Sequence, residues 1–300
     1  MKIAICGHIN IETTLKIDAF PVEYQPNRYL FGGIDSTASG VGLNIAKALH
    51  LLGNDVRLMS VVGQDLLADL AAASLRADGL AADFVLPLAS RTGQSVILYN
   101  PAGQRMISMD LQDIQQAQYP PEQARQALAG CDLAIICNIN YGRPMLALAR
   151  EMGLRIATDV HTISRIDDDY NRDFMAAAHI LFQSHEKLPV PPEQWVHALW
   201  DTYGTPVVCI GMGKEGALLA TYEDRAIVHC PAVSTRPVIS TIGAGDALFS
   251  AFVHSWLRQV SPTEALRRAT IFASYKIGVA GAASGFPTLA EWERLVAESG

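Results

Sequence analysis

Short apolar runs alternate along this chain with longer stretches in which apolar positions recur at helical spacing. Residues 3–6, 56–62, 133–137, 155–157, 180–182 and 207–210 are mostly apolar, as strands buried on both faces would be. Between them, 43–52, 66–77, 121–128, 144–152 and 195–203 have the spacing of helices with one apolar stripe. Strand, helix, strand in repetition predicts an α/β fold, a Rossmann-like αβα sandwich with a mostly parallel central sheet. No repeat, low-complexity tract or linker interrupts it, so residues 1–300 read as a single domain.

Two stretches depart from this rhythm. Residues 11–37 have no helical periodicity and carry Thr, Tyr and Phe among Pro and Gly. Residues 91–110 read as a hairpin turning at Asn100-Pro101-Ala102-Gly103. Both predict a small accessory β-sheet inserted in the α/β core, with role-free surface hairpins as the plainer alternative.

Composition narrows the classes of partner. Half the residues are apolar and 18% are charged, which excludes a disordered chain. No apolar stretch reaches the ~18 residues of a membrane span, and the opening Met1-Lys2-Ile3-Ala4-Ile5-Cys6-Gly7 reads as a strand rather than a signal peptide. The net charge of −7 comes with no basic cluster longer than Arg267-Arg268, so nucleic acid is excluded as the main partner. The five cysteines form no C-x-x-C and sit mostly in apolar runs, as free thiols of a reducing cytoplasm would.

Candidate chemistry lies in three Gly-rich stretches. Ser240-Thr241-Ile242-Gly243-Ala244-Gly245-Asp246 runs straight into an apolar helix. The first amides of such a helix can hold an anion. A carboxylate in that turn repels an anion unless it takes a proton from an attacking hydroxyl while the amides hold a phosphoryl group. An acidic residue merely favouring a helix start explains it equally well. Gly211-Met212-Gly213-Lys214-Glu215-Gly216 fits G-x-G-x-x-G, yet 217–222 reads as a strand, which disfavours dinucleotide binding and leaves a strand-turn-strand phosphate loop. Ser39-Gly40-Val41-Gly42-Leu43-Asn44 opens a third helix with an amide side chain in its first turn; alone, it is most simply a tight turn before a core helix. The histidines lack metal-ligand spacing, and most read as ordinary satisfied surface or core side chains.

Together these segments resemble the ribokinase-like (PfkB) carbohydrate kinase family, nearly end to end. Ser240 to Ala247 stands where that family has Asp-Thr-x-Gly-Ala-Gly-Asp-Ala. Ser39 to Ala46 stands at its Gly-Gly-x-Gly-x-Asn-x-Ala, and Gly7 to Glu12 at its Gly-x-x-Asn-x-Asp. Thr92-Gly93 and Gly103-Gln104-Arg105 are similar to its lid hairpin. The resemblance implies a β-sheet lid over a sugar, and transfer of the γ-phosphoryl of ATP, with Mg2+, to a sugar hydroxyl. It assigns Asp246 as base and the amides of Gly243, Ala244, Gly245 and Asp246 as anion hole. Gly213, Gly216 and Thr241 would line the ATP site, and Asn10, Glu12, Gly40 and Asn44 would hold the substrate. It also implies that lid sheets can pair across a homodimer.

Departures from the pattern bear on specificity. Glu12 replaces an Asp, Ser39 a Gly, and the family's Asn-x-x-Glu, which organises magnesium, survives as Gln183 to Glu186, leaving Glu186 as the metal candidate. Ser240 replaces an Asp often associated with a monovalent-cation site, which predicts weak or absent cation activation. The expected substrate is an unphosphorylated sugar. A nucleoside is the alternative, with Phe20, Tyr29 and Phe31 as a wall for its base; a sensor without turnover is the alternative of another class.

Overall fold

A computed structural model describes residues 1–299. In chain order the elements are β1 (Lys2–Cys6), β2 (Asn10–Lys16), β3 (Ile34–Ser39), α1 (Val41–Leu51), β4 (Asp55–Val61), α2 (Leu66–Ala77), β5 (Val85–Leu86), β6 (Gly93–Tyr99) and β7 (Arg105–Asp110). Then follow α3 (Pro121–Leu128), β8 (Leu133–Ile136), α4 (Arg143–Glu151), β9 (Ile156–Asp159), α5 (Arg172–Ala177), β10 (Ile180–Ser184), α6 (Pro192–Tyr203) and β11 (Val207–Gly211). The chain closes with β12 (Ala217–Thr221), β13 (Ala226–Cys230), α7 (Ala244–Leu257), α8 (Pro262–Lys276) and α9 (Leu289–Glu298).

Nine strands form the central sheet in the order β13-β12-β11-β10-β9-β8-β1-β4-β5, parallel from β5 to β11, with an antiparallel edge of β12 and β13. Each strand's alternation feeds two cores. Ile3 and Ile5 of β1 face α1, α2, α7, α8 and α9, whereas Ala4 and Cys6 face α3 to α6. The expected αβα sandwich is therefore present. Helix spacing located α2 and α3 to the residue. It passed over α8, because Thr270, Ser274 and Lys276 are buried on that helix and blur its apolar stripe. No helix of the described residues is long and apolar enough to cross a membrane.

A second sheet, β3-β2-β6-β7, stands apart. Strand pairs β2/β3 and β6/β7 are antiparallel, and β2 runs parallel to β6. Of residues 11–37 only the two ends are strand; the stretch between them is irregular. The sheet is rooted at the C-terminal edge of the large one, since β1 feeds β2 after three residues and β3 runs into α1 through Gly40. That root lies beside the boundary between β1 and β8, where the strand order reverses, a place where open α/β sheets bind ligands.

Close backbone approach fixes the root. A Cβ on Gly42 would lie 2.4 Å from the carbonyl carbon of Gly7, and the Gly42 amide donates to His8 O at 3.1 Å. Gly42→Ala is expected to lose about 1–3 kcal/mol in urea denaturation, the usual cost of overpacking. At Gly245 a Cβ meets only Phe182 Cε1 at 3.7 Å, so Gly245→Ala is expected to keep its stability in the same measurement.

Candidate functional site

Two Gly-rich helix starts meet at the root of the small sheet. Gly243 adopts a left-handed conformation (φ 75°) as N-cap of α7, and a Cβ there would lie 2.5 Å from Ala282 O. Only glycine satisfies both conditions. The Ala244 amide donates to Thr241 O, which removes one of the four amides expected to face an anion. Those of Gly245 and Asp246, in the first turn, have no carbonyl partner within the helix. Gly245 has an ordinary φ and no crowding neighbour, so its missing side chain leaves room for something outside the chain.

Asp246 is 8% exposed, and Asn44 Nδ2, from the first turn of α1, donates to its Oδ2 at 2.7 Å. Burial pushes the Asp246 carboxyl up to about 6; the Asn44 hydrogen bond opposes the rise, Asp159 adds to it, and His161 and Lys276 oppose it. A carboxylate so placed accepts a proton readily from a bound hydroxyl near neutral pH.

Asn10 and Glu12 diverge in their roles. Asn10 Nδ2 donates to Ser95 Oγ at 2.7 Å, while its Oδ1 is buried without a protein partner. Both oxygens of Glu12 are engaged: Ser39 Oγ lies 3.0 Å from Oε2, and the Ala282 amide donates to Oε1 at 3.2 Å. The two departures Glu12 and Ser39 thus contact each other. Ser39 Oγ also lies 3.3 Å from Asn44 Oδ1, linking Glu12 to the Asn44–Asp246 pair. Gly40 has φ 106° and a Cβ position 2.4 Å from His8 O, so packing accounts for it as a glycine.

On the other flank, Gly216 is likewise set by packing, with a Cβ position 2.1 Å from Cys230 O. Gly213 (φ 58°) sits open, nearest His185. Residues 211–217 are a turn between antiparallel β11 and β12, as expected against a dinucleotide fold. Thr241 Oγ1 accepts from Arg105 Nη1 at 2.8 Å, and Arg105 Nη2 lies 3.6 Å from Glu186 Oε1, so β7 of the small sheet reaches across to the turn before α7. Glu186 is half exposed, and no group of three or more His, Cys, Asp or Glu gathers into a metal cage among the described residues.

Several groups here escape a sequence reading. His8 is buried with both ring nitrogens unpartnered, an exception to the expectation that most histidines are satisfied. Burial and His161 lower its pKa to about 4, so it is a neutral ring with one donor and one acceptor free. Asp159 ends β9, buried and with its carboxyl raised by desolvation, and Oδ1 accepts from the His161 amide at 2.7 Å. Only the position of 159–161 just after a predicted strand could have flagged them. Tyr29 and Phe31 are exposed and form no wall.

A model of the pfkB family carbohydrate kinases matches residues 1–289. The 1-phosphofructokinase of Haloferax volcanii is 29% identical over 259 residues, 82% of this chain and 81% of that protein. The acarbose 7(IV)-phosphotransferase of an Actinoplanes species is 22% identical over 284 residues, 94% of each chain. The solved structure of a microbiome-derived acarbose kinase superposes with a TM-score of 0.89 at 23% identity, over 99% of this chain and 98% of that one.

The Asp246 carboxyl is expected to titrate near pH 6, and any reaction it serves as base should fall about tenfold per pH unit below that inflection. Asn44→Leu removes the hydrogen bond that favours the charged form, so the inflection should move to higher pH. Carboxyl NMR titration of both proteins checks the direction.

Proposed function

The chain belongs to the pfkB family of carbohydrate kinases, and we propose on that footing that it transfers the γ-phosphoryl group of ATP to a hydroxyl of a small neutral sugar, with Asp246 as base. The observation that carries the reading is the buried Asp246 carboxylate beside two unpaired amides at the start of α7. The carboxylate accepts the hydroxyl proton while the Gly245 and Asp246 amides stabilise charge on the transferred group. Asn44 holds the carboxylate's orientation through a 2.7 Å hydrogen bond. Thr241, Gly213 and Gly216 would line the nucleotide, and Arg105 draws the lid onto Thr241, excluding water.

Magnesium usually keeps several waters and one or two protein carboxylates when it rides on phosphates. A lone half-exposed Glu186 beside the anion-binding turn fits that role, and the ion would supply charge neutralisation on the phosphates.

For the sugar, Asn10 Oδ1 supplies a buried acceptor awaiting a hydroxyl. Glu12, held between Ser39 and Ala282, lends its remaining lone pairs and fixes the pocket's width. Three arginines could have neutralised a phosphate on the substrate. Arg28 pairs with Asp18, Arg165 with Asp167, and Arg105 with Thr241 and Glu186. Their engagement, with Asp246, Glu12 and Asp159 nearby, favours an uncharged acceptor. Exposed Val96, Met106, Ile107 and Met109 on β6 and β7 support pairing of the lid with that of a second copy.

Asp246→Asn is expected to bind ATP in calorimetry yet turn over about 10²–10⁴-fold more slowly; near-normal turnover would overturn the assignment. Across a panel of neutral sugars and sugar phosphates, ADP release should be fastest with a neutral sugar. Glu12→Asp should reorder kcat/KM among sugars by about 1–3 kcal/mol, and Glu12→Ala should lower all of them.

A further inference from the structure

The largest fully buried polar side chain that the proposed chemistry leaves unused is Lys276, at the last position of α8. Its Nζ donates to the main-chain carbonyl of Ile242, in the anion-binding turn, and to Gly281 O at 2.6 Å, in the loop after α8. No carboxylate forms an ion pair with it among the described residues. A buried ammonium without a direct ion pair is costly, so a residue of this kind calls for a purpose.

Main-chain carbonyls converging from two loops are the donor set of a weakly hydrated monovalent cation, whose water they replace. Here the point of convergence holds a covalently attached cation of similar size. Burial lowers the Lys276 pKa to about 8, against the pull of Asp246 on α7 and Glu12 on β2; Arg236, packed on Tyr275, lowers it further. The ammonium therefore remains charged at neutral pH.

Both tethered loops belong to the site. Ile242 O is the carbonyl four residues before Asp246, the acceptor that the Asp246 amide would take if the helix began earlier. Lys276 engages it instead, and the Asp246 amide stays free. Gly281 O precedes Ala282, whose amide holds Glu12 and whose carbonyl abuts Gly243. We propose that the Lys276 ammonium replaces a bound monovalent cation, positioning the anion-binding turn against the Glu12 loop and making the protein indifferent to potassium. Lys276 is a positioning residue, acting through Ile242 and Gly281 rather than on substrate.

This inference takes its activity readout from the kinase reading above, and a melting readout tests it apart from that reading. Wild-type kcat should change less than about twofold when tetramethylammonium is exchanged for potassium, sodium or ammonium at constant ionic strength, and its melting temperature should not follow the ion. Lys276→Ala opens a cation-sized space; kcat should fall about 10–100-fold, as for lost outer-shell partners. Potassium or ammonium should restore much of that loss and raise the variant's melting temperature. Lys276→Met fills the space and should stay impaired in every salt. Severalfold stimulation of the wild type by potassium overturns the proposal, even if neither variant folds. A Lys276→Ala protein that no cation stabilises or reactivates overturns it too. Absence of phosphoryl transfer to every acceptor would count against the kinase reading alone, because melting still reports on the cation.

Discussion

A carboxylate buried at the first turn of α7 governs the architecture around it. Taking Asp246 out of water is unfavourable unless donors and positive charge surround it. The chain answers from three directions: the Asn44 side chain from α1, His161 from the loop after β9, and the Lys276 charge from the end of α8. Each answer constrains the fold. Asn44 reaches Asp246 only because α1 starts hard against β1, with Gly42 on Gly7. The α7 amides are free only because Gly243 turns left-handed under Ala282. The same burial that demands compensation raises the carboxyl into the range useful to a base.

The small sheet is tied to this centre at several places. Asp65, the N-cap of α2, accepts from both the amide and the hydroxyl of Thr92, where β6 begins. Glu12 of β2 joins the loop after α8 through the Ala282 amide, and Arg105 of β7 joins the turn before α7 through Thr241. Asn10 and Glu12 on β2 and the free amides of α7 are thus connected through one short loop. Under the proposed function, a substitution at Glu12 is therefore expected to act on the phosphate side as well as on the sugar.

The departures from the family pattern are easier to understand as pairs than singly. Glu12, a methylene longer than Asp, finds its partner in Ser39, which replaces a glycine. Ser240, buried where the family often has an Asp, lies two residues before the carbonyl that Lys276 engages. In the proposal above, the lack of a carboxylate at Ser240 and the ammonium of Lys276 both remove the reason for an external cation. Neither relationship is local in the chain.

What the sequence by itself determined was periodicity and motif. Alternating apolar runs specified strands buried on two faces, and the Gly-rich helix starts marked Asp246 and Asn44, because these signals are written in neighbouring residues. Tertiary structure alone decided the partners. A lysine in a last helical turn reads as a solvated cap, and a histidine after a strand as an ordinary side chain. Lys276 and His8 became buried polar groups only when α8 packed beneath the turn before α7 and the root of the small sheet closed over β1. Burial and hydrogen-bond partners are set by residues tens to hundreds of positions away. No local pattern records which donor will face which acceptor once the layers close.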